Sequence, residues 1–466
     1  MNSTAVVLVT LVSYQAVLLA VGYWARARSR GTASYFIGDR GLGPWVAALS
    51  YAAGSSSAWT ILGVSGIAFS QGLGAMWLVP GTITGHIFVW FWVAPRLQAL
   101  AHAHDWITLT DLLAWRMVGP AARVTVRLSA VAILFCFVFY IAAQFQGAAN
   151  TFTAVFDFDF VTALLVGAGV VLIYTLWGGF WAVSITDALQ ATLMLAAAIV
   201  LPVVALFSVG GVDALAAAAA PSAQPGYWHV LGGHGGWYAV GLFLGMVSIG
   251  LGPVGQPHLL NRIMALRAPR DIRLARGVAL AWFTVVLSGM YLLGVCAHVL
   301  LGAQDQPEQV FFAMADRLLP DVLTGVLIAA VLSAIMSTAD SQLLVAGSAI
   351  QHDLAAGNAS GGSYARAAVI LVAAVAVALA LFLPEAIFSR VLFAWNALGA
   401  AFGPVVVVRL LGWPVRPWSV PVAIGLGFTL TVVLYSLPDG PGDVWERLVP
   451  FALAFALLLA SRERTT

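Results

Sequence analysis

Long apolar runs separated by short polar segments make up most of this chain. A helix needs about 20 consecutive apolar residues to cross the hydrocarbon core of a bilayer. Runs of this kind predict thirteen spans, at roughly 5–25, 43–69, 73–94, 122–148, 158–177, 182–208, 236–256, 274–301, 322–350, 366–384, 388–411, 418–436 and 444–461. We therefore expect an all-α integral membrane protein with one transmembrane domain over residues 1–466. An eleven-span arrangement stays open if two short runs lie at the membrane interface.

The composition agrees with this class. Of the 466 residues, 61% are hydrophobic and 9% are charged, whereas about 25% of the residues in a soluble domain are charged. A soluble enzyme is therefore excluded, and the expected surroundings are a lipid bilayer, with no nucleic-acid partner and no organic cofactor. Cys136 and Cys296 lie inside apolar runs, which favours small buried side chains over a disulfide or a metal site.

The arginines predict the orientation in the membrane. The chain has no lysine, and 18 of its 21 arginines fall in alternate loops or at the span ends beside them, including Arg262, Arg267 and Arg270 between spans 7 and 8. Basic residues accumulate on the cytoplasmic side of a membrane protein. This pattern predicts an outside N-terminus and a cytoplasmic C-terminus, and it leaves no arginine or lysine at mid-membrane depth.

Two of the predicted spans contain poor helix formers. Residues 53–57 (AGSSS) interrupt span 2, and residues 250–257 (GLGPVGQP) interrupt span 7. The two spans are five apart and run in opposite directions, as in two inverted repeats of spans 2–6 (about 43–208) and 7–11 (about 236–411). Matched breaks in the halves of a chain point to the substrate and ion sites of a transporter. Two ordinary proline and glycine kinks remain the alternative.

A polar stripe crosses span 9. Residues 332–344 (LSAIMSTADSQLL) carry side-chain oxygens at helical spacing, on Ser333, Ser337, Thr338, Asp340 and Ser341. A charged Asp at the bilayer centre costs at least about 2.5–3.5 kcal/mol, so it normally faces a cavity, a partner or an ion. Asp187 is the other acid well inside an apolar run. Hydroxyls that bond back to the helix and a carboxylate that serves helix packing are the alternatives.

The chain also resembles a known family, the sodium:solute symporters, and within it the bacterial sodium/proline symporters. The resemblance lies in six ordered motifs: 36–40 (FIGDR), 106–116 (WITLTDLLAWR), 177–183 (WGGFWAV) with Thr186 and Asp187, 255–265 (GQPHLLNRIMA), 336–344 (MSTADSQLL), and Ala394-Trp395 with 399–404 (GAAFGP). It implies a leucine-transporter-type fold, a 5+5 inverted repeat with one extra N-terminal helix and two extra C-terminal helices.

The resemblance implies two cation sites. The sodium ligands carried over are the backbone carbonyls of Ala53, Ser56 and Ala334 and the hydroxyls of Ser337 and Thr338. A second cation or coupling site would comprise Asp187, Asp340 and Ser341, with Ser337 contributing a hydroxyl. Asp340 stands where hydroxyls are usual, so it either strengthens the second site or carries a proton.

The solute site is also implied by the resemblance. Its candidate residues are Ser55, Ser57, Trp59, Thr60, Tyr140, Gln144 and Pro257, and Asn396 is a further hydrogen-bonding candidate. Sodium/proline symporters carry an aspartate at the position of Ser55 and an aromatic pair at those of Ile249 and Pro253. Proline, another amino acid and a small carboxylate therefore all stay open as the solute.

The expected function is sodium-coupled import of a small organic solute, such as proline, across the bacterial inner membrane by alternating access. Sodium is the expected co-transported ion. The alternatives are a proton-coupled or facilitative carrier on the same scaffold, and a transporter-like sensor, which the lack of an output domain in the sequence argues against. No enzyme activity is expected, because the apolar segments contain no nucleophile-base constellation.

Overall fold

The computed structural model describes residues 3–25, 32–156, 158–218, 226–355, 362–382, 387–438 and 440–463. No β-strand occurs among these residues, and most of them are helical. The first half contains α1 Ser3–Ala25, α2 Thr32–Ile37, α3 Pro44–Ser55, α4 Val64–Gln71, α5 Leu78–Phe88, α6 Ala94–Ala103, α7 Leu109–Leu113, α8 Gly119–Phe156, α9 Phe160–Val209 and α10 Val212–Ala217. The second half contains α11 Gly236–Ser248, α12 Pro257–Met264, α13 Asp271–Leu301, α14 Val310–Leu318, α15 Asp321–Ser348, α16 Gly362–Phe382, α17 Ile387–Leu410, α18 Ser419–Tyr435 and α19 Val444–Ala460.

All-α architecture is confirmed, and each predicted span coincides with helix in the described part of the chain. Eight described segments are long and apolar enough to cross a membrane, and three shorter apolar helices accompany them. The number of crossings therefore stays a prediction. Predicted spans 5 and 6 both fall in α9, whose backbone leaves helical geometry at Gly179 with φ 58°. Glycine adopts this left-handed conformation without the steric cost of a Cβ, so α9 bends there.

Both predicted helix breaks are present. α3 ends at Ser55, and its continuation begins as a π-helical turn, Trp59–Gly63, before α4. α11 gives way to a 3-10 segment, Ile249–Gly255, and α12 begins only at Pro257. The hydrogen-bond ladder of each span is interrupted where the sequence concentrates glycine, serine and proline. Backbone groups released at these points are available to other partners.

The second break packs backbone to backbone against α5. A Cβ on Gly85 would lie 1.9 Å from the carbonyl oxygen of Gly250, and a Cβ on Gly250 would lie 2.1 Å from that of Gly81. Only hydrogen fits in such gaps. Glycine at these positions therefore lets α5 touch the main chain of the broken helix directly.

α15 lies deep inside the helix bundle. Residues 327–348 are all buried, and α15 packs against α9, α8, α1 and α3. The polar stripe predicted for span 9 therefore faces other helices throughout and has no contact with lipid. Asp340 therefore avoids the free-energy cost of exposing a charge to lipid, because its carboxylate is enclosed by protein.

The short helix α7 is tied to the end of α15. Asp111 accepts the backbone N–H groups of Ile107 and Thr108, at 2.8 and 3.0 Å, and its other oxygen lies 3.3 Å from His352 Nε2. His352 belongs to a π-helical turn, Ala349–Leu354, that extends α15. Thr110 donates to Asp353 Oδ1 at 2.7 Å in the same region. α7 is thus held by side chains from a distant segment.

Candidate functional site

The break that follows α3 meets α15 through a cluster of oxygens. The Ser337 hydroxyl lies 3.2 Å from the carbonyl oxygens of both Ala53 and Ala334. The Thr338 hydroxyl lies 3.2 Å from the carbonyl oxygen of Gly54 and 3.5 Å from that of Ala53. All of these residues are buried. Two hydroxyls and three carbonyls therefore converge between a broken helix and an unbroken one, which is the donor set that a hard cation requires.

This cluster contains four of the five predicted sodium ligands. The fifth, Ser56, is buried beside it and donates its backbone N–H to the carbonyl of Ala53 at 3.0 Å. Gly54 joins the cluster although the sequence did not single it out as a ligand. The signal was present, because Gly54 lies inside the predicted break and its carbonyl loses its helical partner there.

A second polar cluster surrounds Asp187. Its Oδ2 accepts the Ser50 hydroxyl at 2.6 Å and lies 3.2 Å from a guanidinium nitrogen of Arg262. The same nitrogen donates to the Ser341 hydroxyl, which in turn lies 3.2 Å from Asp340 Oδ1. The three residues predicted for a second cation or coupling site thus belong to one buried network. Arg262 is the member of it that the sequence prediction lacked.

The predicted position of Arg262 in a loop is wrong. The charge pattern assigned it to a cytoplasmic loop and left the membrane interior without arginine. In the structure it lies in α12, and its side chain is 1% exposed. α12 continues the broken span past Pro257 and is buried along its length, so a residue that follows the apolar run remains inside the bundle. A buried charge requires a partner of opposite sign, and Asp187 supplies it.

The solute candidates are buried around the first break. The Tyr140 hydroxyl lies 3.4 Å from Ser57 Oγ, and Trp59 Nε1 donates to the carbonyl of Ser55 at 3.4 Å. Gln144 Oε1 accepts the backbone N–H of Ala58 at 3.0 Å, so it caps the helix that resumes after the break.

Three of these candidates retain unused polar atoms. Ser55 Oγ, Thr60 Oγ1 and Asn396 Nδ2 are buried without a hydrogen-bond partner among the described residues. Asn396 follows Trp395, whose ring centroid lies 6.5 Å from that of Trp59. Buried polar atoms are normally paired, so these three atoms are suited to meet a polar ligand.

His258 connects the two breaks, and the sequence prediction did not include it among the site residues. It follows Pro257, the solute candidate that begins α12, and its Nε2 donates to the carbonyl of Gly54 at 3.2 Å. Its ring also packs edge-on against those of Phe137 and Tyr140. The motif at 255–265 contains this histidine, but only the structure places its ring against the carbonyl of the first break.

Two cavities with shared lining residues open beside this buried region. They measure about 880 and 590 Å³, and both are lined by Ile67, Ser70, Phe388 and Ser389. Phe388 packs edge-on against Trp59, with ring centroids 6.2 Å apart. Phe388, which lines both cavities, therefore contacts Trp59, one of the buried solute candidates.

Comparisons with known proteins bear on the family and the fold. Residues 35–413 match the model of the sodium:solute symporter family. The chain is 33% identical to the high-affinity proline transporter PutP of Bacillus subtilis over 450 residues, 93% of each protein. It is also 33% identical to a sodium/proline symporter of Staphylococcus aureus, over 85% of this chain and 79% of the relative. A solved Na+-coupled sialic acid symporter in a substrate-bound, outward-open state superposes with a TM-score of 0.81 at 14% identity, covering 99% of both chains.

Proposed function

The chain belongs to the sodium:solute symporter family, and from that membership we propose that it imports proline together with sodium. Sodium-coupled symport by a multi-pass membrane protein of the leucine-transporter type follows from the family and the fold. The solute is taken from the names of the relatives, which transport proline. The observation that carries the proposal is the oxygen cluster between α3 and α15.

Sodium binding at this cluster explains how the ion would act. The proposed ligands are the carbonyls of Ala53, Ser56 and Ala334 and the hydroxyls of Ser337 and Thr338. An ion held there joins the broken helix to α15 and fixes the shape of the break. Because the proposed solute residues flank the same break, an ion that orders it raises solute affinity, and by linkage the solute raises sodium affinity by the same factor.

The solute would bind on the other side of the break. Its proposed contacts are Ser55, Ser57, Trp59, Thr60, Tyr140, Gln144, Pro257 and Asn396. The unused polar atoms of Ser55, Thr60 and Asn396 suit an amino acid, which offers both donors and acceptors. The half-helix that resumes at Ala58 presents a partially positive N-terminus, which favours a carboxylate without any arginine.

The proposed direction of transport is inward across the bacterial inner membrane, with the N-terminus outside and the C-terminus cytoplasmic. In that orientation the two cavities open to the outside and Phe388 with Trp59 covers the solute site. Asp187, Asp340 and Ser341 lie on the cytoplasmic side of the break, as a coupling site.

Sodium-dependent uptake into proteoliposomes tests the ion site. We expect Thr338→Ala and Asp187→Asn each to raise the sodium concentration needed for half-maximal uptake, since one removes a ligand and the other a carboxylate of the coupling network. Thr284→Ala is the matched control, because that exposed hydroxyl bonds only to its own helix at 2.9 Å. Unaltered sodium dependence in both site variants would refute the assignment.

A thermal-shift screen of amino acids and small carboxylates, with and without sodium, tests the solute. Ligands that bind the native state raise the apparent stability, so we expect proline to stabilise the purified protein only when sodium is present. Stabilisation by another solute would replace proline in the proposal. Uptake that persists without sodium and follows a pH gradient would indicate a proton-coupled carrier instead.

A further inference from the structure

The short helix α7 and the two cavities lie at opposite ends of α17. Phe388 and Ser389, which line both cavities, are in the first turn of α17. Near the other end of the same helix, Arg409 Nε donates to the carbonyl of Leu113, the last residue of α7, at 3.2 Å. The 24 residues of α17 give it a length of about 36 Å. α7 therefore belongs to the end of the bundle that is remote from the cavities.

At this end α7 bridges segments from both halves of the chain. It packs against α8, α12 and α17, and the turn Ala349–Leu354 holds it to the end of α15. α12 is the part of the second broken span that begins at Pro257, a proposed solute residue. A contact that fixes α7 therefore restrains α12 together with the ends of α15 and α17.

The contact between α7 and this turn is made by one imidazole and two carboxylates. His352 Nε2 lies 3.3 Å from Asp111 Oδ1. Asp353, the next residue, accepts the hydroxyl of Thr110 at 2.7 Å and lies 3.4 Å from that of Thr108. The side chains of His352 and Asp111 are 34% and 26% exposed, so protons from the solvent reach this pair.

The charge of His352 decides the strength of the contact. Histidine has an ordinary pKa of about 6.5, and neighbouring carboxylates favour its protonated form. While it is protonated, the imidazolium donates a charge-assisted hydrogen bond to Asp111. As the pH rises and the proton is lost, only the weaker hydrogen bond of a neutral ring can remain.

Among the described residues, the other charged groups around α7 are basic, paired or distant. The helices packed against α7 and the turn contribute Arg123 and Arg127 of α8, Arg262 of α12, Arg366 of α16 and Arg409 of α17. Asp105, which precedes α7, pairs with Arg40 at 3.2 Å. Asp340 of α15 lies about three helical turns before His352. The two carboxylates beside His352 are therefore the groups that favour its charge.

We propose that His352 and Asp111 form a proton-controlled latch, which is closed while His352 is charged and holds α7 against the extension of α15. While the latch is closed, α12 and the ends of α15 and α17 stay together, so this end of the transporter opens slowly. Loss of the proton releases α7 and speeds opening. The orientation in the proposed function puts this end in the cytoplasm. On that function rests one further step, that the rate of transport rises with cytoplasmic pH.

Labelling of a buried cysteine tests the latch without transport. Leu112→Cys places a thiol on α7 at a position that is fully buried, and both native cysteines are buried as well. Its reaction with N-ethylmaleimide is followed by mass spectrometry of the peptide that carries it, with and without His352→Gln. The ratio of the two rates at each pH cancels the ionisation of the thiol. We expect His352→Gln to speed labelling about 2- to 5-fold at pH 6, the range for a partly exposed ion pair, and to have no effect at pH 9.

Two variants serve as controls in the same background. His352→Lys keeps a cation that does not titrate in this range, so it should stay slow to label at pH 9, where the parent has become fast. His229→Gln removes an exposed histidine from the segment that lines the larger cavity, and its ratio should be about 1 at every pH. A ratio of 1 for His352→Gln at pH 6, or an equal ratio at pH 6 and pH 9, would overturn the latch.

Uptake into right-side-out membrane vesicles tests the link to transport. The internal pH is set between 6 and 8.5 at a fixed external pH. We expect the maximal rate of the parent to rise about 2- to 5-fold with internal pH, and the rates of His352→Gln and His352→Lys to stay constant, at a high and a low value respectively. A parent rate that is independent of internal pH would overturn this step. A lack of sodium-dependent uptake at every pH would refute the proposed function instead, and the labelling would still decide on the latch.

Discussion

Gln144 offers a direct test of how the first break is stabilised. The side-chain oxygen of Gln144, on α8, accepts the backbone N–H of Ala58 at 3.0 Å, and both residues are fully buried. Replacing Gln144 with Leu leaves that N–H without an acceptor. An unsatisfied buried donor costs about 1–3 kcal/mol, which corresponds to about a 5- to 160-fold change in an equilibrium constant.

We expect Gln144→Leu to lower the thermal stability of the purified protein and to raise the KM for solute, because Ser57 and Trp59 flank Ala58. Gln144→Glu keeps an oxygen acceptor at the same reach, and at low pH, where the carboxyl group is neutral, it should retain more of the stability than the Leu variant. The two variants are compared by thermal unfolding in detergent and by solute uptake in proteoliposomes. A Leu variant with parental stability and a raised KM would refute the capping role and leave only a direct solute contact.

Two further predictions concern stability. Gly250→Ala should lower the stability of the protein by about 1–3 kcal/mol, because the added Cβ would lie 2.1 Å from the carbonyl oxygen of Gly81. Gly277→Ala is the control and should be neutral or stabilising, because a Cβ there has nothing within 4 Å. Equal losses of stability in the two variants would contradict this prediction. Burial raises the pKa of Asp111, but hydrogen bonds from His352 and two backbone N–H groups outweigh it and hold the pKa below its ordinary value. The stabilisation by ionised Asp111 is therefore present above about pH 4 and is lost as the pH falls through the lowered pKa. Asp111→Asn should cost about 0.5–2 kcal/mol of stability at neutral pH, and its stability should fall less steeply than that of the parent as the pH is lowered. Parallel curves of stability against pH for the parent and the variant would contradict this prediction.

Local chemistry made the two breaks predictable from the sequence. Glycine, serine and proline weaken a helix wherever they cluster, so residues 53–57 and 250–257 marked the interruptions without knowledge of the fold. The polar stripe of α15 was predictable for the same reason, since helical spacing alone aligns Ser337 and Ser341. The meeting of Ser337 with the carbonyl of Ala53 could not be obtained in this way, because it depends on how distant helices pack. It was expected only through the resemblance to a family.

The side chain of Arg262 shows where such reasoning fails. A rule based on the average position of arginine in loops treats every arginine after an apolar run alike. α12 extends the broken span beyond its last apolar stretch, and Asp187 lies 75 positions earlier in the sequence. Nothing local to residue 262 indicates that partner. Long-range pairing therefore decides both the burial of the charge and the composition of the buried polar network around Asp187.

The glycines at which α5 meets the second break limit the relative motion of these two segments. Where Gly85 faces the carbonyl of Gly250, no side chain lies between the two backbones. Neither segment can slide past the other without a main-chain collision, and neither can rotate independently. We therefore expect α5 and the broken helix to travel as one rigid body during transport.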